Sequence, residues 1–233
     1  MKIETKWKDI PTLVTDEQVV REYEAMERYA EEAYNNLGRG LAIEVGSFWG
    51  RSTALLAQFF TVFAIDTWGL GTNQGARGEM KEYDDFAGPA LDTFFKNMTD
   101  RDLIYWDHAE LSQDRIHAIC STSKFLENVP YLDVRFCFVD AEHSYPASYY
   151  DMKRCADHMA VGGIMALHDC ARPTWGWAFD EGVERSDMDP WWENLVSLTQ
   201  FLDENRKFTI YDHVEGMVFV KKMDKDRTYI PKA

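Results

Sequence analysis

Residues 41–57 read LAIEVGSFWGRSTALLA, and residues 62–68 read VFAIDTW. A short apolar run ends on Glu44 and Val45 and meets a turn that carries Gly46 and Gly50. A helix then opens through Ser52 and Thr53, and a second apolar run ends at Asp66. Strand, glycine turn, helix and strand form the unit with which doubly wound α/β sheets place a nucleoside at the carboxyl ends of their first two strands. The spacing is E-x-G-x-x-x-G and not the G-x-G-x-x-G that seats a dinucleotide pyrophosphate.

Working outward, Thr15 to Leu37 is predicted to be an amphipathic helix. Thr15 and Gln18 form a capping box. Val19, Val20, Tyr23, Met26, Ala30, Ala33 and Leu37 recur at helical spacing, and Gly38 suits the C-terminal cap. The charges of Glu17 to Glu32 are expected outside, and the Met and aromatic positions serve packing or a dimer contact. Strands are predicted at Leu41–Val45, Thr61–Ile65, Leu103–Trp106, Val134–Val139 and Ile164–His168. Helices are predicted at Arg51–Phe59, Leu91–Met98, Leu111–Leu126, Pro146–Met159 and Trp192–Asn205. GLGTNQGARGEMKEYDDFAG, residues 69–88, reads as a loop. Gly162 and Gly163 separate the helix after strand four from strand five. Phe208–Tyr211 and Met217–Val220 read as an antiparallel hairpin around Glu215 and Gly216.

This alternation predicts an α/β fold: a doubly wound, Rossmann-like, mostly parallel sheet with helices on both faces. Residues 1–38 form an N-terminal helical extension and 39–233 a single domain, since neither a repeat nor a Pro/Ser-rich linker divides the chain.

The 233 residues are 45% hydrophobic, enough for a sizeable core, and carry a formal charge of -15. That charge repels phosphate backbones and anionic membrane surfaces, so neither nucleic acid nor membrane is expected as a partner. Cys120, Cys137, Cys155 and Cys170 form no C-x-x-C pair and read as reduced packing residues of a cytoplasmic protein. MKIETKWKDI lacks an apolar signal segment, and no apolar run approaches the length of a membrane span.

The glycine turn suits close backbone approach to a ligand, because side chains at Gly46 and Gly50 would fill its space. Ser47, Ser52 and Thr53 add hydroxyls beside a helix N-terminus, where a carboxylate is favoured. An acid at the end of strand two, Asp66, can take both hydroxyls of a ribose. Asp107 and His108 follow the predicted strand three and either reach an adenine or cap a turn. A ligand with an adenosine and no phosphates fits this set together with Glu44, and S-adenosylmethionine is the candidate.

A second cluster is FVDAEHSYP, residues 138–146, followed by His168 and Asp169 at the end of strand five. Two neighbouring strand ends deliver D-x-E-H and H-D to one region. Asp140, His168 and Asp169 are the candidate ligands of a divalent cation, which would lower the pKa of a bound hydroxyl. His143 and Asp140 are the candidate catalytic residues, with His143 as the general base. The same groups also make sense as a metal-free acid/base network. Trp175, Trp177, Trp191 and Trp192 follow and either wall an acceptor pocket or anchor the next helix.

EVGSFWGRSTALLA, AIDTW and FVDAEHSYPASYYDMKRCADHMAVGGIMALHDC resemble the class I S-adenosylmethionine-dependent methyltransferases. The branch they look most like is the small bacterial-type O-methyltransferases, through D-x-x-H-S-Y followed by G-G-x-x-x-x-H-D. More distantly the chain is similar to macrocin-type sugar and catechol-type O-methyltransferases. The resemblance spans about Leu41 to Cys170. It implies a seven-stranded sheet with a reversed seventh strand. It also implies a cation on Asp140, His168 and Asp169, and a catalytic base at His143. His168 stands where catechol-type enzymes carry Asp, so the cation is magnesium, another metal, or none.

The expected activity is O-methylation of a small hydroxylated acceptor, a sugar or a phenol. One alternative is a nicotinamide-dependent oxidoreductase, against which the missing third glycine speaks. Another is a methyltransferase-like binding protein without catalysis, against which the clustered Asp140, His143 and Asp169 speak.

Overall fold

A computed structural model describes residues 2–11, 17–68, 81–104, 115–170 and 192–226, with the backbone alone for 81–89. In chain order the elements are α1 (Glu17–Leu37), β1 (Leu41–Val45), α2 (Arg51–Ala57), β2 (Thr61–Asp66), α3 (Lys81–Thr99), β3 (Ile116–Cys120), β4 (Val134–Val139), α4 (Tyr145–His158), β5 (Met159–Leu167), α5 (Trp192–Glu204), β6 (Phe208–Val214) and β7 (Met217–Lys222). The strands form one seven-stranded sheet in the order β3-β2-β1-β4-β5-β7-β6. β7 alone runs against its neighbours, antiparallel to both β5 and β6. Strand order reverses between β1 and β4, so a crevice opens at their carboxyl ends, where open α/β sheets bind ligands.

Side-chain alternation along the strands divides the core between the two sheet faces. Ala42, Phe136, Phe138, Ile164 and Ala166 pack with Met26 of α1, Leu55 of α2 and Phe94 of α3. Ile43, Val45, Cys137, Val139, Met165 and Leu167 pack with Met152 of α4 and Leu198 of α5. The alternation puts Glu44 on the α1–α2–α3 side, between Ile43 and Val45 of the other face. α1 contributes Tyr23, Met26, Tyr29 and Ala30 to the core, so its aromatic and Met positions are packing residues. It ends as expected: Gly38 takes φ +78 and its amide donates to the Tyr34 carbonyl at 2.8 Å.

Four expectations fail. Of the predicted strand Leu103–Trp106, Leu103 and Ile104 lie in the bend after α3, where Leu103 is buried and its amide donates to the Met98 carbonyl, and Tyr105 and Trp106 lie outside the described residues. The predicted helix Leu111–Leu126 contains β3, paired with β2 from Val62↔Ile116 to Asp66↔Cys120. Pairing along an edge outweighs a helical spacing of apolar residues there. α3 begins at Lys81, inside the expected loop, and runs through Gly88 and Pro89. Proline's fixed φ is compatible with a helix at the loss of one backbone bond.

Gly162 and Gly163 do not precede β5 but lie within it. Gly162 takes φ +85, and between Val134↔Met159 and Phe136↔Ile164 the register slips. The pair therefore makes a bulge rather than a boundary. Cys137, Cys155 and Cys170 are buried and unpaired as thiols; Cys120 is exposed. No helix among the described residues is long and apolar enough to cross a membrane.

Candidate functional site

The residue after each central strand extends the parallel ladder by one bond. The Gly46 amide donates to Ile65 O at 2.9 Å, Asp140 N to Val45 O at 2.9 Å, and His168 N to Val139 O at 3.1 Å. The ends of β2, β1, β4 and β5 are thereby tied into one rim. Along this rim, among the described residues, Phe48, Trp68 and Asp169 hold left-handed backbone without being glycine. Such conformations are costly and persist where the surroundings impose them, commonly at ligand sites.

The turn after β1 is held from below and from the side. Glu44 is fully buried and accepts the Ser47 hydroxyl at 3.0 Å and the Thr53 hydroxyl. Burial pushes its carboxyl up to about 7, against the pull of the Ser52, Thr53 and Ser47 hydroxyls. Asp66 accepts three backbone amides: Ser47 and Phe48 on Oδ2, both at 2.8 Å, and Trp68 on Oδ1 at 2.6 Å. The Trp68 indole donates to Phe48 O at 2.9 Å, and Asn97 of α3 donates to Trp49 O at 2.9 Å.

The two glycines are also required by the protein's own packing. A Cβ at Gly46 would lie 2.0 Å from the Asp140 carbonyl oxygen, and one at Gly50 would lie 2.6 Å from Met98 Cε. Both glycines make room for the protein's own neighbours. Ser47, Ser52 and Thr53 are buried, with their hydroxyls around Glu44. The Ser47 and Thr53 hydroxyls are therefore engaged within the protein.

The second cluster assembles as the strand ends suggest. His168 Nδ1 lies 3.2 Å from Asp140 Oδ1 and 3.3 Å from Asp169 Oδ2. His143 Nε2 faces the same two oxygens at 3.7 and 3.5 Å. Burial opposes ionisation of Asp140, but His168 and His143 hold its carboxyl well below the ordinary carboxylate range. Burial also opposes charge on the histidines. Asp140 and Asp169 override it for His143, and Asp140, Asp169 and Glu22 raise His168 well above an ordinary imidazole.

Ligand atoms of Asp140, His143 and Asp169 all lie within 4.8 Å of one another, a span one cation could bridge, so this trio holds His143 where the sequence pointed to His168. His143 Nε2 and His168 Nδ1 are buried and face these carboxylates without a well-aligned hydrogen bond. Two imidazole nitrogens beside two carboxylates are donor types that a divalent metal takes. Asp107, His108, Trp175, Trp177 and Trp191 lie outside the described residues, as does Thr15 of the expected capping box.

Sequence reasoning missed Glu22. Expected on the solvated side of α1, Glu22 is 1% exposed and lies 3.1 Å from His168 Nε2. Its place was readable: it stands three residues after Val19 and four before Met26, on the apolar stripe. Tyr23 is buried near Asp140, His168 and Glu44, and burial followed by Asp140 pushes its hydroxyl up to about 12.

Several solved structures share this fold. An O-methyltransferase from Bacillus cereus in complex with SAH matches 92% of this chain and 86% of its own, at 13% identity and TM-score 0.54. A SAM-dependent O-methyltransferase from Thermotoga maritima matches 95% and 71%, at 14% identity and TM-score 0.54. An rRNA methylase from Streptococcus thermophilus matches 91% and 99%, at 14% identity and TM-score 0.50. At these identities the likeness shows the fold: a seven-stranded, mostly parallel α/β sheet with a reversed strand. The family described as "Methyltransferase domain" matches residues 43–170, over half of the chain, from β1 through the turn after β5. The chain belongs to this methyltransferase-domain family.

Proposed function

We propose that the protein binds S-adenosylmethionine against the turn after β1 and transfers its methyl group to a hydroxyl of a small acceptor. The observation that carries this reading is the adjacency of two sites on one rim. A clamped glycine turn stands at β1–β2, and the Asp140–His143–His168–Asp169 cluster stands at β4–β5. Family membership supplies the reaction type. Two of the structural relatives are named O-methyltransferases, which supports oxygen as the atom methylated.

Asp66 has roughly four acceptor positions, and the three amides fill all but one. It is therefore suited to one ribose hydroxyl, not two, while holding the turn that receives the rest of the cofactor. The acceptor oxygen attacks the methyl carbon as the carbon–sulfur bond breaks. The bonding pair stays on sulfur, giving S-adenosylhomocysteine, and the acceptor's proton passes to His143. Positioning supplies most of the acceleration.

His143 suits the proton role better than His168. Its side chain is 29% exposed against 17%, so it can return the proton to solvent. His168 Nδ1, closer to both carboxylates, is the better third donor beside Asp140 and Asp169. A divalent cation there would lower the pKa of the acceptor hydroxyl.

The test is calorimetry with S-adenosylhomocysteine, followed by transfer of labelled methyl from S-adenosylmethionine to a panel of sugars, phenols and hydroxy acids. Binding and label on a hydroxyl are expected. Absence of binding overturns the cofactor, and label on nitrogen or on RNA overturns the acceptor class.

A further inference from the structure

We propose that Glu22, on α1, is a positioning residue that locks the His168 ring so that Nδ1 faces the Asp140–Asp169 pair. This rests on the reading of that cluster as the reacting centre. Glu22 is 146 residues away in sequence and 1% exposed. Its two oxygens do different work. Oε1 accepts the Gly216 amide at 2.7 Å and the Gln18 side-chain amide at 3.1 Å. Oε2 faces His168 Nε2 at 3.1 Å.

A histidine has two nitrogens, and the partner of one decides what the other presents. With Nε2–H donated to Glu22, the ring cannot turn to offer Nε2 to the carboxylates, so Nδ1 is the atom left for the centre. No comparable anchor holds His143 among the contacts described, and its ring nitrogen stands farther from both carboxylates. Glu22 also bonds the β6–β7 turn, whose Gly216 carbonyl accepts the Cys170 amide just after Asp169. One carboxylate thus joins α1, the reversed hairpin and the β5 end.

Glutamine at this position has the same shape but one acceptor oxygen, so it cannot serve both Gly216 N–H and His168 Nε2–H. The experiment is ¹⁵N-edited NMR of the histidine side chains in the chelator-treated full chain, with His168 assigned by its absence in His168→Gln. Wild type is expected to show a slowly exchanging Nε2–H on His168. Glu22→Gln is expected to lose that protection, while S-adenosylhomocysteine affinity stays within about twofold and the backbone spectrum stays folded. An unprotected Nε2–H in wild type overturns the proposal even if the variant fails to fold. So does an unchanged His168 signal in Glu22→Gln. Failure of wild type to bind S-adenosylhomocysteine would instead overturn the cofactor reading and leave the Glu22–His168 result standing.

Discussion

Asp66, the last residue of β2, accepts the backbone amide of Ser47 through Oδ2 at 2.8 Å. The same oxygen takes the Phe48 amide, so the second strand holds the turn of the first in shape. Asp66→Asn keeps the volume but replaces one acceptor oxygen with a donor that faces backbone N–H groups. A lost bond of this kind costs about 1–3 kcal/mol when the donor is left unsatisfied. Urea unfolding should show that loss, and calorimetry should show S-adenosylhomocysteine affinity reduced by about tenfold or more. Wild-type affinity in the variant would separate the clamp from the cofactor site.

Gly46→Ala tests the packing between the two halves of the rim. Its Cβ would enter the Asp140 carbonyl at 2.0 Å, and φ is already +91. Overpacking and left-handed strain together cost about 3 kcal/mol. A thermal unfolding scan should place the variant clearly below wild type. A neutral result would mean the turn can move away from β4.

Glu44 gives a pH dependence whose sign follows from its raised value. The unfolded carboxyl ionises near its ordinary value of 4.5, and the folded one holds its proton to about 7. Between those limits only the unfolded state releases a proton as pH rises, so this group's stabilisation is present below the lower value and is lost towards the upper. The full effect is on the order of 3 kcal/mol. Glu44→Gln should flatten the difference in urea stability between pH 5 and pH 8. An identical slope in both proteins would show that Glu44 ionises normally.

His143 is predicted to titrate above 6.5 in chelator-treated protein, followed by the NMR shift of its ring carbon proton. Burial works against the charge, and Asp140 and Asp169 outweigh it. The charged form therefore favours the fold at low pH, and that contribution fades as pH rises through the raised value. Asp140→Asn should move the midpoint down. With an acceptor in hand, His143→Ala should lose about 100-fold or more in methyl transfer while retaining cofactor binding.

Much of this was legible from residue order. Strong apolar runs placed β1 and β4 at the observed bounds, because strands buried on both faces leave little polar pattern to misread. The D-x-E-H and H-D strand ends were found because chemistry at adjacent carboxyl ends is a property of chain order. β3 was missed because an edge strand takes half its character from its neighbour. Glu22 was missed because one charge inside an acidic helix looks solvated until another element covers it.

The sequence by itself determined the alternating fold, the site's strand ends and the identities of the groups placed there, since these follow from periodicity and spacing along the chain. Only the tertiary structure decided what each group touches. Asp66 became a clamp on backbone amides, Gly46 a gap for Asp140, and Glu22 the anchor of His168. Each of those roles depends on atoms brought together by the packing of separate strands and helices, and local sequence does not encode a distance between segments remote along the chain.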